Sequence, residues 1–161
     1  MTNQMIVNNK LHFCILFFGV FLFSSCGETP FYDSAYSFKD KKWALEDTAS
    51  FEFDVTDTVQ QYDFVLTLRT TTTYPFSNLW VHVSTTAPDE SKSKMAQRIN
   101  LAAPDGSWIG RVSGTIVESK LHYKTTNFPL EGTYRFDVTH AIQKETVPEV
   151  LDLSLRVVAA K

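Results

Sequence analysis

The sequence predicts an all-β fold, a single antiparallel β-sandwich of about seven strands. Apolar and polar residues alternate with a period of two in five separate segments, which is typical of strands with one buried face. Residues that favour turns, such as Gly and Pro, stand between these segments. Short strands with intervening turns, within one domain of this size, favour two packed antiparallel sheets.

The five alternating segments provide the strongest strand signals. Because side chains in a strand point alternately to opposite faces, we expect the apolar member of each alternation to face the core. These expected inward positions are Phe51, Phe53 and Val55; Phe64, Leu66 and Leu68; Leu79, Val81 and Val83; Tyr134, Phe136 and Val138; and Leu151, Leu153, Leu155 and Val157. Two weaker strands are predicted at residues 98–101 and 115–123.

The segments between the strands contain residues that turns require. Residues 104–106 (Pro-Asp-Gly) and 131–132 (Glu-Gly) predict turns, and the polar stretch 87–94 predicts an exposed loop. One short helix is predicted, with Thr139 as its N-cap and Pro148 beyond its end. The order of the strands within the sheets does not follow from the pattern.

The first 25 residues predict a removable signal peptide rather than part of the fold. A polar first segment ends in the basic Lys10, and residues 11–23 form an apolar run of 13 residues. A helix needs about 20 apolar residues to cross a bilayer, so this run is too short. A basic start, a short apolar run and the small residues Ser24 and Ser25 describe a secretory signal.

Cys26 follows these serines directly and is predicted to carry lipid. Residues 22–26 (Leu-Phe-Ser-Ser-Cys) resemble the bacterial lipobox, in which the cysteine is acylated, for example with palmitate, and becomes the first mature residue. Cys14 is removed with the signal, so Cys26 is the only cysteine of the mature chain. Acylation explains a lone cysteine in an exported protein, and two or more acyl chains give stable anchoring. The alternative is an ordinary secreted protein with a stray buried cysteine.

The mature chain has the size and charge of one acidic domain. Removal of residues 1–25 leaves 136 residues, with residues 26–30 as a lipidated tether and 31–161 as one sandwich domain. Lys10 is the one charged residue removed, so 14 basic and 18 acidic side chains remain and the net charge is −4. This balance argues against nucleic acid as a partner. We expect the acyl chains to anchor the protein in the cell envelope, at the outer membrane rather than the inner one.

No pattern of residues indicates a metal or another cofactor. His82, His122 and His140 remain after removal of the signal, and none lies within four residues of another His or Cys. The spacing of zinc ligands is therefore absent. Hydrogen-bonded or solvent-facing histidines explain all three, and we expect no small-molecule substrate.

Patterns typical of catalysis are also absent, so we expect that the protein is not an enzyme. A serine hydrolase would need a strained turn such as Gly-x-Ser-x-Gly, whereas residues 110–114 (Gly-Arg-Val-Ser-Gly) have a different spacing and predict a glycine-rich bend. Acylation of Cys26 would block its thiol. Glu52, Asp54 and Asp57 could form a carboxylate pair for glycoside cleavage, but they fall on the polar face of a strand, where acidic residues usually meet water.

Aromatic side chains suggest an alternative function, the binding of surface glycan. Trp80 and Trp108, together with Trp43 and Tyr74, could stack on sugar rings if two or more of them were exposed and coplanar. Tryptophan is more often buried in a core or an interface. The exposure of these four rings therefore distinguishes a glycan-binding lipoprotein from other envelope lipoproteins.

Residues 69–80 (Arg-Thr-Thr-Thr-Thr-Tyr-Pro-Phe-Ser-Asn-Leu-Trp) are specific enough to suggest a family. They resemble the gliding-motility lipoprotein H (GldH) family of Bacteroidetes, in which a strand ending in arginine leads to a Tyr-Pro-aromatic-Ser-Asn-Leu-Trp segment. The matching residues are Arg69, Tyr74, Pro75, Phe76, Ser77, Asn78, Leu79 and Trp80. Residues 105–110, which include Trp108, and residues 132–136 and 152–156 also fit, so the resemblance covers the mature domain.

The resemblance implies a lipid-anchored accessory component of the gliding motility and type IX secretion machinery. Such a component would contact other envelope or gliding-machinery proteins, and its acyl chains would contact the membrane. The matching residues and Trp108 are then candidates for a motif that either binds a partner or stabilises the fold. Aromatic residues and Arg are favoured at the centres of protein interfaces.

The motif also has a local structural interpretation. Pro75 fixes its own φ and favours an extended Tyr74, and Ser77-Asn78 can hydrogen-bond the backbone of a turn. The planar guanidinium of Arg69 could lie against Tyr74 or Trp80 in a cation–π contact.

Overall fold

The computed structural model describes residues 30–160, with the side chains of residues 124–126 excepted. The predicted signal peptide, residues 1–25, and the predicted lipid site Cys26 lie outside the described residues. No helix within residues 30–160 is long and apolar enough to cross a membrane.

The described chain contains one short helix and eleven strands. The 3-10 helix covers Lys39–Lys41. The strands are β1 (Tyr32–Ser37), β2 (Lys42–Ala44), β3 (Ala49–Val55), β4 (Gln61–Thr71), β5 (Asn78–Thr86), β6 (Lys92–Asn100), β7 (Arg111–Ser113), β8 (Ile116–Asn127), β9 (Gly132–His140), β10 (Thr146–Pro148) and β11 (Val150–Ala159).

These strands form two main antiparallel sheets. The five-stranded sheet has the order β1-β11-β4-β8-β7, and the four-stranded sheet has the order β3-β9-β5-β6. β10 and β2 form a separate two-stranded sheet. Residues from both main sheets share one hydrophobic core, so the sheets pack face to face. The prediction of an all-β antiparallel sandwich is confirmed.

Alternating residues of the strands fill the space between the sheets. In β3, Phe51, Phe53 and Val55 are buried while Glu52 and Asp54 are exposed, as the pattern predicts. Full burial of such a side chain contributes roughly 1.5–3 kcal/mol to the free energy of unfolding. The largest fully buried side chains include Trp43, Phe51, Leu68, Leu79, Leu101 and Leu153.

The five strongly predicted strands correspond to β3, β4, β5, β9 and β11. The weaker strands, 98–101 and 115–123, lie mainly in β6 and β8, which are both longer than predicted. β6 already begins at Lys92, so the predicted loop 87–94 is wrong in its second half. The backbone N–H of Ala87 donates to the carbonyl of Ser91 (2.9 Å), which closes the connection before β6 begins.

Residues 110–114 form more than the predicted bend, because Arg111–Ser113 is the edge strand β7. Gly110 lies so close to β8 that a Cβ atom there would collide with the backbone of Glu118. Gly114 has φ +59° in the tight turn from β7 to β8, a conformation that favours glycine. Both glycines therefore have a structural role at the edge of the five-stranded sheet.

The predicted short helix after Thr139 is wrong. Thr139 and His140 continue β9 and pair with β5, and the residues that follow form a loop. Pro148, expected beyond the helix, lies in β10, where Val147 is buried opposite Trp43 of β2. Strand pairing and the burial of Val147 override the local capping signal, since propensity is a weak preference that tertiary contacts outweigh.

The alternation predicted for β11 also fails at its start. The register against β4 shifts between Val150 and Asp152, which is a β-bulge. As a result Val150 is fully buried in place of Leu151, which the pattern placed inward and which is only half-buried. Asp152 stays on the outer face, opposite Arg69, and is buried there. From Leu153 onward the predicted inward positions are correct.

The strand register defines two ends of the sandwich. At one end Tyr32 begins β1, and Ala159 lies opposite Tyr62 at the start of β4. We call this the tether end, because residues 26–30 lead into it. At the opposite end, called the motif end, β4 leads into residues 72–77. β4 has 11 residues, and at roughly 3.3 Å per residue the two ends are about 35 Å apart.

Candidate partner-binding surface

The segment 72–77 connects β4 to β5, and its backbone is tied to neighbouring strands. The N–H of Thr72 donates to the carbonyl of Thr115 (2.9 Å), and the N–H of Tyr74 donates to that of Thr71 (3.1 Å). These two bonds hold the first residues of the segment against Thr71 and Thr115 and so restrict its path.

Glu149 adds a side-chain anchor for the same segment. Its carboxylate accepts hydrogen bonds from the hydroxyls of Thr71 and Thr73, and the Thr71 hydroxyl lowers the pKa of this carboxyl. Glu149 has φ +63°, in the left-handed region between β10 and β11. A non-glycine residue there costs roughly 1–3 kcal/mol and persists where surrounding contacts hold it.

Tyr74 is buried and supports the motif segment from inside. Its hydroxyl donates to the carbonyl of Asn78 (3.3 Å), and its ring meets Phe76 edge-on, with 5.6 Å between the ring centroids. Burial raises the pKa of Tyr74, so its hydroxyl stays protonated. Leu79 is fully buried behind it. These two motif residues stabilise the fold rather than face a partner.

The other end of the motif segment is held by the chain that follows β6. The carbonyl of Ser77 accepts hydrogen bonds from the N–H groups of Leu101 (2.8 Å) and Ala102 (3.0 Å). Ala102 forms an isolated β-bridge with Trp108, whose half-buried ring packs against the core. The structure thus connects Trp108 to the motif through the backbone of Ser77.

Arg69 has a different partner from the one expected. Its Nε and Nη2 donate to the carboxylate of Asp152 at 2.8 and 2.7 Å, a two-point pairing of planar groups. This hydrogen bond raises the pKa of Arg69. Asp152 is paired directly opposite Arg69, so both side chains lie on the outer face of the five-stranded sheet, where Asp152 is buried. Within the described residues, Arg69 makes no cation–π contact with Tyr74 or Trp80, so the contact considered for it in the sequence is not formed.

The outer side of the motif segment borders an open groove of about 430 Å³. Lys144 Nζ lies 5.8 Å from the ring centroid of Phe76, which is half-buried, while Pro75 and Ser77 are exposed. We call this groove the motif surface, and it is lined by Pro75, Phe76, Ser77, Asn78, Ile142, Gln143 and Lys144.

Trp80 extends the motif surface along β5. Its carbonyl accepts a hydrogen bond from the N–H of Ala141 (2.7 Å), which joins the strand to the loop containing residues 142–144. The side chain of Trp80 is 42% exposed. Unlike Tyr74 and Leu79, this motif residue is displayed to solvent.

The four aromatic rings considered for glycan binding do not form a shared platform. Trp43 and Tyr74 are buried, and Trp108 is half-buried against the core. Trp80 alone of the four is exposed. Stacking on sugar requires rings open to solvent, so the buried pair is excluded from that role.

The three acidic residues considered for glycoside cleavage make hydrogen bonds or ion pairs with neighbouring residues. Asp54 accepts a hydrogen bond from Thr133 (2.6 Å), and Asp57 accepts from the backbone N–H of Val59 (2.8 Å). Glu52 lies 4.0 Å from Arg135 in an exposed ion pair. Within residues 30–160, no cluster of three or more His, Cys, Asp or Glu has the arrangement of a metal site.

The three histidines differ in their surroundings. His122 is exposed and His82 is half-buried. His140 is buried with its ring edge-on to Trp43, 5.9 Å between centroids. In the described chain, neither nitrogen of His140 has a hydrogen bond of ordinary geometry, so the expectation of a hydrogen-bonded or solvent-facing ring is wrong for this residue. Burial lowers its pKa, opposed only in part by the backbone at Ile142.

Sequence reasoning missed the supports of the motif, namely Asp152, Glu149 and the loop 142–144. Asp152 and Glu149 lie 83 and 78 residues away from Arg69 and Thr71, their partners. The sequence contains one signal for such a contact, because Asp152 stands between Leu151 and Leu153 and a buried carboxylate requires a cationic partner. The pattern placed Asp152 on the outer face, which is correct, but it did not predict that the residue is buried there.

An antiparallel β-sandwich, on a chain whose first residues resemble a lipoprotein signal, is typical of lipid-anchored envelope proteins. Comparison with known proteins identifies the family. The family model for the GldH lipoprotein matches residues 30–157, and the chain belongs to this family. It is accordingly a gliding-motility lipoprotein, anchored by lipid in the cell envelope.

Two relatives show how far the similarity extends. The gliding motility lipoprotein GldH homolog of Christiangramia forsetii is 30% identical over 131 residues, covering 81% of this chain and 80% of that protein. The gliding motility lipoprotein GldH of Flavobacterium johnsoniae is 26% identical over 150 residues, covering 89% and 93%. The family predicted from residues 69–80 is therefore confirmed.

Solved structures are similar only at a low level. The infectious bursal disease virus VP2 subviral particle matches with a TM-score of 0.37 and 9% identity, over 83% of this chain and 34% of that one. Dimeric latent PorU from Porphyromonas gingivalis matches with a TM-score of 0.38 and 9% identity, over 84% and 13%. The chain thus spans a minor part of both proteins, and these overlaps carry no functional information.

Proposed function

We propose that this lipoprotein is a non-enzymatic accessory component of the gliding motility and type IX secretion machinery, and that it acts by binding another envelope protein through the motif surface. Three parts of this proposal go beyond family membership. They are the connection to type IX secretion, the mechanism of direct protein contact, and an anchor in the outer membrane through Cys26.

The observation that carries the proposal is the position of the motif surface relative to the anchor. The described chain begins at the tether end with Pro30, and the motif surface lies at the motif end, about 35 Å away by strand length. An acyl anchor on Cys26 would hold the tether end at the bilayer. The motif surface would then project away from the membrane, where a partner can reach it.

The chemistry of the motif surface suits a protein partner. Trp80 is exposed, Pro75 adds apolar area, and Lys144 over Phe76 supplies a cation beside an aromatic ring. Aromatic residues are concentrated at binding hot spots, because a large ring buries much area with few rotatable bonds. The hydrogen bonds of Ser77 and Glu149 hold the segment in place before binding, which reduces the entropy lost on association.

The lipid anchor would contribute by confinement. Proteins held at one membrane meet at a higher effective concentration than free proteins, so a modest interface is sufficient. We propose the boundaries 1–25 for the signal peptide, 26–30 for the tether and 31–161 for the sandwich domain. Metabolic labelling with palmitate, followed by separation of inner and outer membranes, tests the anchor. Label that persists in a Cys26→Ala variant, or wild-type protein found in the inner membrane, would contradict it.

The motif surface is tested by substitution in the native gene. Trp80→Ala and the double variant Pro75→Ala/Lys144→Ala should reduce both surface spreading and secretion of type IX cargo. Val59→Ala is the matched control, because Val59 is an apolar side chain that is 86% exposed in the turn before β4, at the tether end. This control should behave like the wild type.

Protein level and membrane fraction are measured in each strain, so that loss of function is not confused with loss of protein. Normal spreading and secretion in both motif variants would contradict the docking role of this surface. Loss of spreading with normal secretion would contradict the connection to type IX secretion alone.

A further inference from the structure

A large apolar cavity lies between the two sheets at the tether end of the sandwich. Its volume is about 490 Å³, within the roughly 300–1,000 Å³ of small-molecule binding sites. Phe64, Val83, Phe136 and Leu155 contribute to its wall, from β4, β5, β9 and β11. The cavity is separate from the motif surface and shares no residue with it.

The cavity interrupts the burial pattern of the core. Along the inward face of β5, Leu79 and Val81 are fully buried, but Val83 is only half-buried. Phe136, an inward residue of β9, is also only half-buried. Protein interiors are normally packed without such gaps, so a space this large and apolar suits an apolar occupant.

Charged residues lie at the mouth of the cavity, and a buried hydroxyl without a hydrogen-bond partner lies on its wall. Asp89 and Lys92 stand at the rim beside Met95, whose side chain is 49% exposed. Tyr123 lines the wall, and its buried hydroxyl has no hydrogen-bond partner in the described chain. Buried hydroxyls are nearly always bonded, so a missing acceptor is expected here. An apolar interior with a polar mouth and one free donor fits an acyl chain with an ester or amide group at one end.

The tether ends close to this cavity. Phe31, the second described residue, contacts Phe53 at 5.9 Å and Tyr62 at 4.9 Å between ring centroids. Both of these rings contact Phe128, which lines the cavity, at 5.6 and 5.5 Å. From Cys26 to Pro30 the chain can span at most about 14 Å. An acyl group on Cys26 is therefore within reach of the cavity.

We propose that the cavity binds one acyl chain of the lipid attached to this protein's own Cys26. This inference rests on the proposed acylation of Cys26 and is independent of any partner at the motif surface. The remaining acyl chains stay in the membrane, so the domain is held with its tether end against the bilayer. A short tether favours the protein's own lipid over others, because it gives that chain a high effective concentration at the cavity.

Photo-crosslinking of the full lipidated protein in its native cells tests the proposal. Cells are fed palmitate that carries a terminal diazirine and are then irradiated, and the purified protein is digested and mapped by mass spectrometry. We expect crosslinks that join the Cys26 peptide to peptides of β5 or β9 within one molecule. The intact mass of the N-terminal peptide, measured without irradiation, reports acylation separately from occupancy of the cavity.

Two matched variants control for the site. Met95→Trp places a larger side chain at the mouth of the cavity. The ring would occupy space that the acyl chain needs, so the crosslink yield should fall by roughly tenfold. Val112→Trp is the control, because Val112 is 48% exposed on β7 and does not line the cavity; its yield should be unchanged. Thermal melting of both proteins verifies that they are folded.

Tyr123→Phe provides a second, milder test. It removes only the hydroxyl, and we expect it to reduce the yield about threefold, in line with the loss of one hydrogen bond. Acylated protein without crosslinks to the lining strands would overturn the proposal. Adducts on β5 or β9 that carry a phospholipid instead of the Cys26 peptide would also overturn it, because another lipid would then be the occupant. Absence of acylation at Cys26 would instead contradict the proposed anchor.

Discussion

The motif end and the tether end of the sandwich are built from the same strands but packed differently. At the motif end Val81 of β5 is fully buried, whereas two residues further along the same face Val83 borders the cavity. At the motif end the short β2–β10 sheet covers the core, with Trp43 and Val147 both fully buried. The comparison shows that alternation determines which way a side chain points, whereas the surrounding elements determine how tightly it is packed.

Aromatic rings also serve different purposes at the two ends. Trp43 is stacked on Phe38, with ring centroids 4.4 Å apart, and its Nε1–H donates to the carbonyl of Asp47 (2.9 Å). At the tether end, Phe53, Phe128 and Phe136 contact one another, and Phe128 and Phe136 also line the cavity. We expect substitutions at the motif end to reduce stability strongly, and equivalent changes at the tether end to be tolerated.

The largest effect is expected for Trp43→Ala. It removes a fully buried ring and leaves a cavity, so the free energy of unfolding should fall by about 3–5 kcal/mol. Trp80→Ala removes an exposed ring and should cost about 1 kcal/mol or less. Urea unfolding followed by tryptophan fluorescence gives both values. Equal losses for the two variants would contradict the closed packing assigned to the motif end.

The next largest effect is expected for Arg69→Ala. It leaves the buried carboxylate of Asp152 without its partner, so we expect a loss of about 2–3 kcal/mol. Arg156→Ala is the matched control, because its ion pair with Asp33 is exposed on both sides and should contribute less than about 1 kcal/mol. The same unfolding measurement applies, and a loss as large for Arg156→Ala would contradict the importance of burial.

Two identical substitutions on β5 test the difference between the ends directly. Val81→Ile adds a methylene to a packed site and should destabilise the protein by about 1–3 kcal/mol. Val83→Ile adds the same group beside the cavity and should stabilise it by about 0.5–1 kcal/mol. Thermal melting of both variants gives the sign. Destabilisation by Val83→Ile would indicate that the tether end is already filled.

The smallest effect is a dependence of stability on pH. Burial lowers the pKa of His140 in the folded state, so the unfolded chain binds a proton more readily. Stability should therefore be complete above the unfolded pKa of about 6.5 and decline as the pH falls below it. His140→Phe should flatten the curve between pH 7 and pH 5. An unaltered slope in His140→Phe would exclude this histidine as the source.

The alternation of apolar and polar residues was sufficient to predict the strands that have one face in the core. Phe51, Phe53 and Val55 alternate without interruption, and β3 forms where the pattern predicts it. The same kind of reasoning failed for Thr139, because the pairing of β9 with β5 outweighed a local capping signal. It also failed for β1, an edge strand with mostly exposed side chains that have no alternation to detect.

The family resemblance located the candidate site, but it did not show which contacts hold the site together. Residues 69–80 indicated the family, yet they gave no reason why Tyr74 should be buried and Trp80 exposed. The residues that bind Arg69 and Ser77 of the motif, Asp152 and Leu101, lie in other strands or connections. Contacts between residues far apart in sequence depend on strand order and register, which a local pattern does not contain.

The sequence alone determined the fold class, most strand positions and the family, because these depend on the order of side chains along one stretch of chain. The tertiary structure decided that Arg69 pairs with a buried Asp152, that Trp80 is exposed while Tyr74 is buried, and that the sheets part into a cavity near Phe31. Each of these features requires two or more strands to be placed in space. Their physical cause is packing between layers, which arises only once the chain has folded.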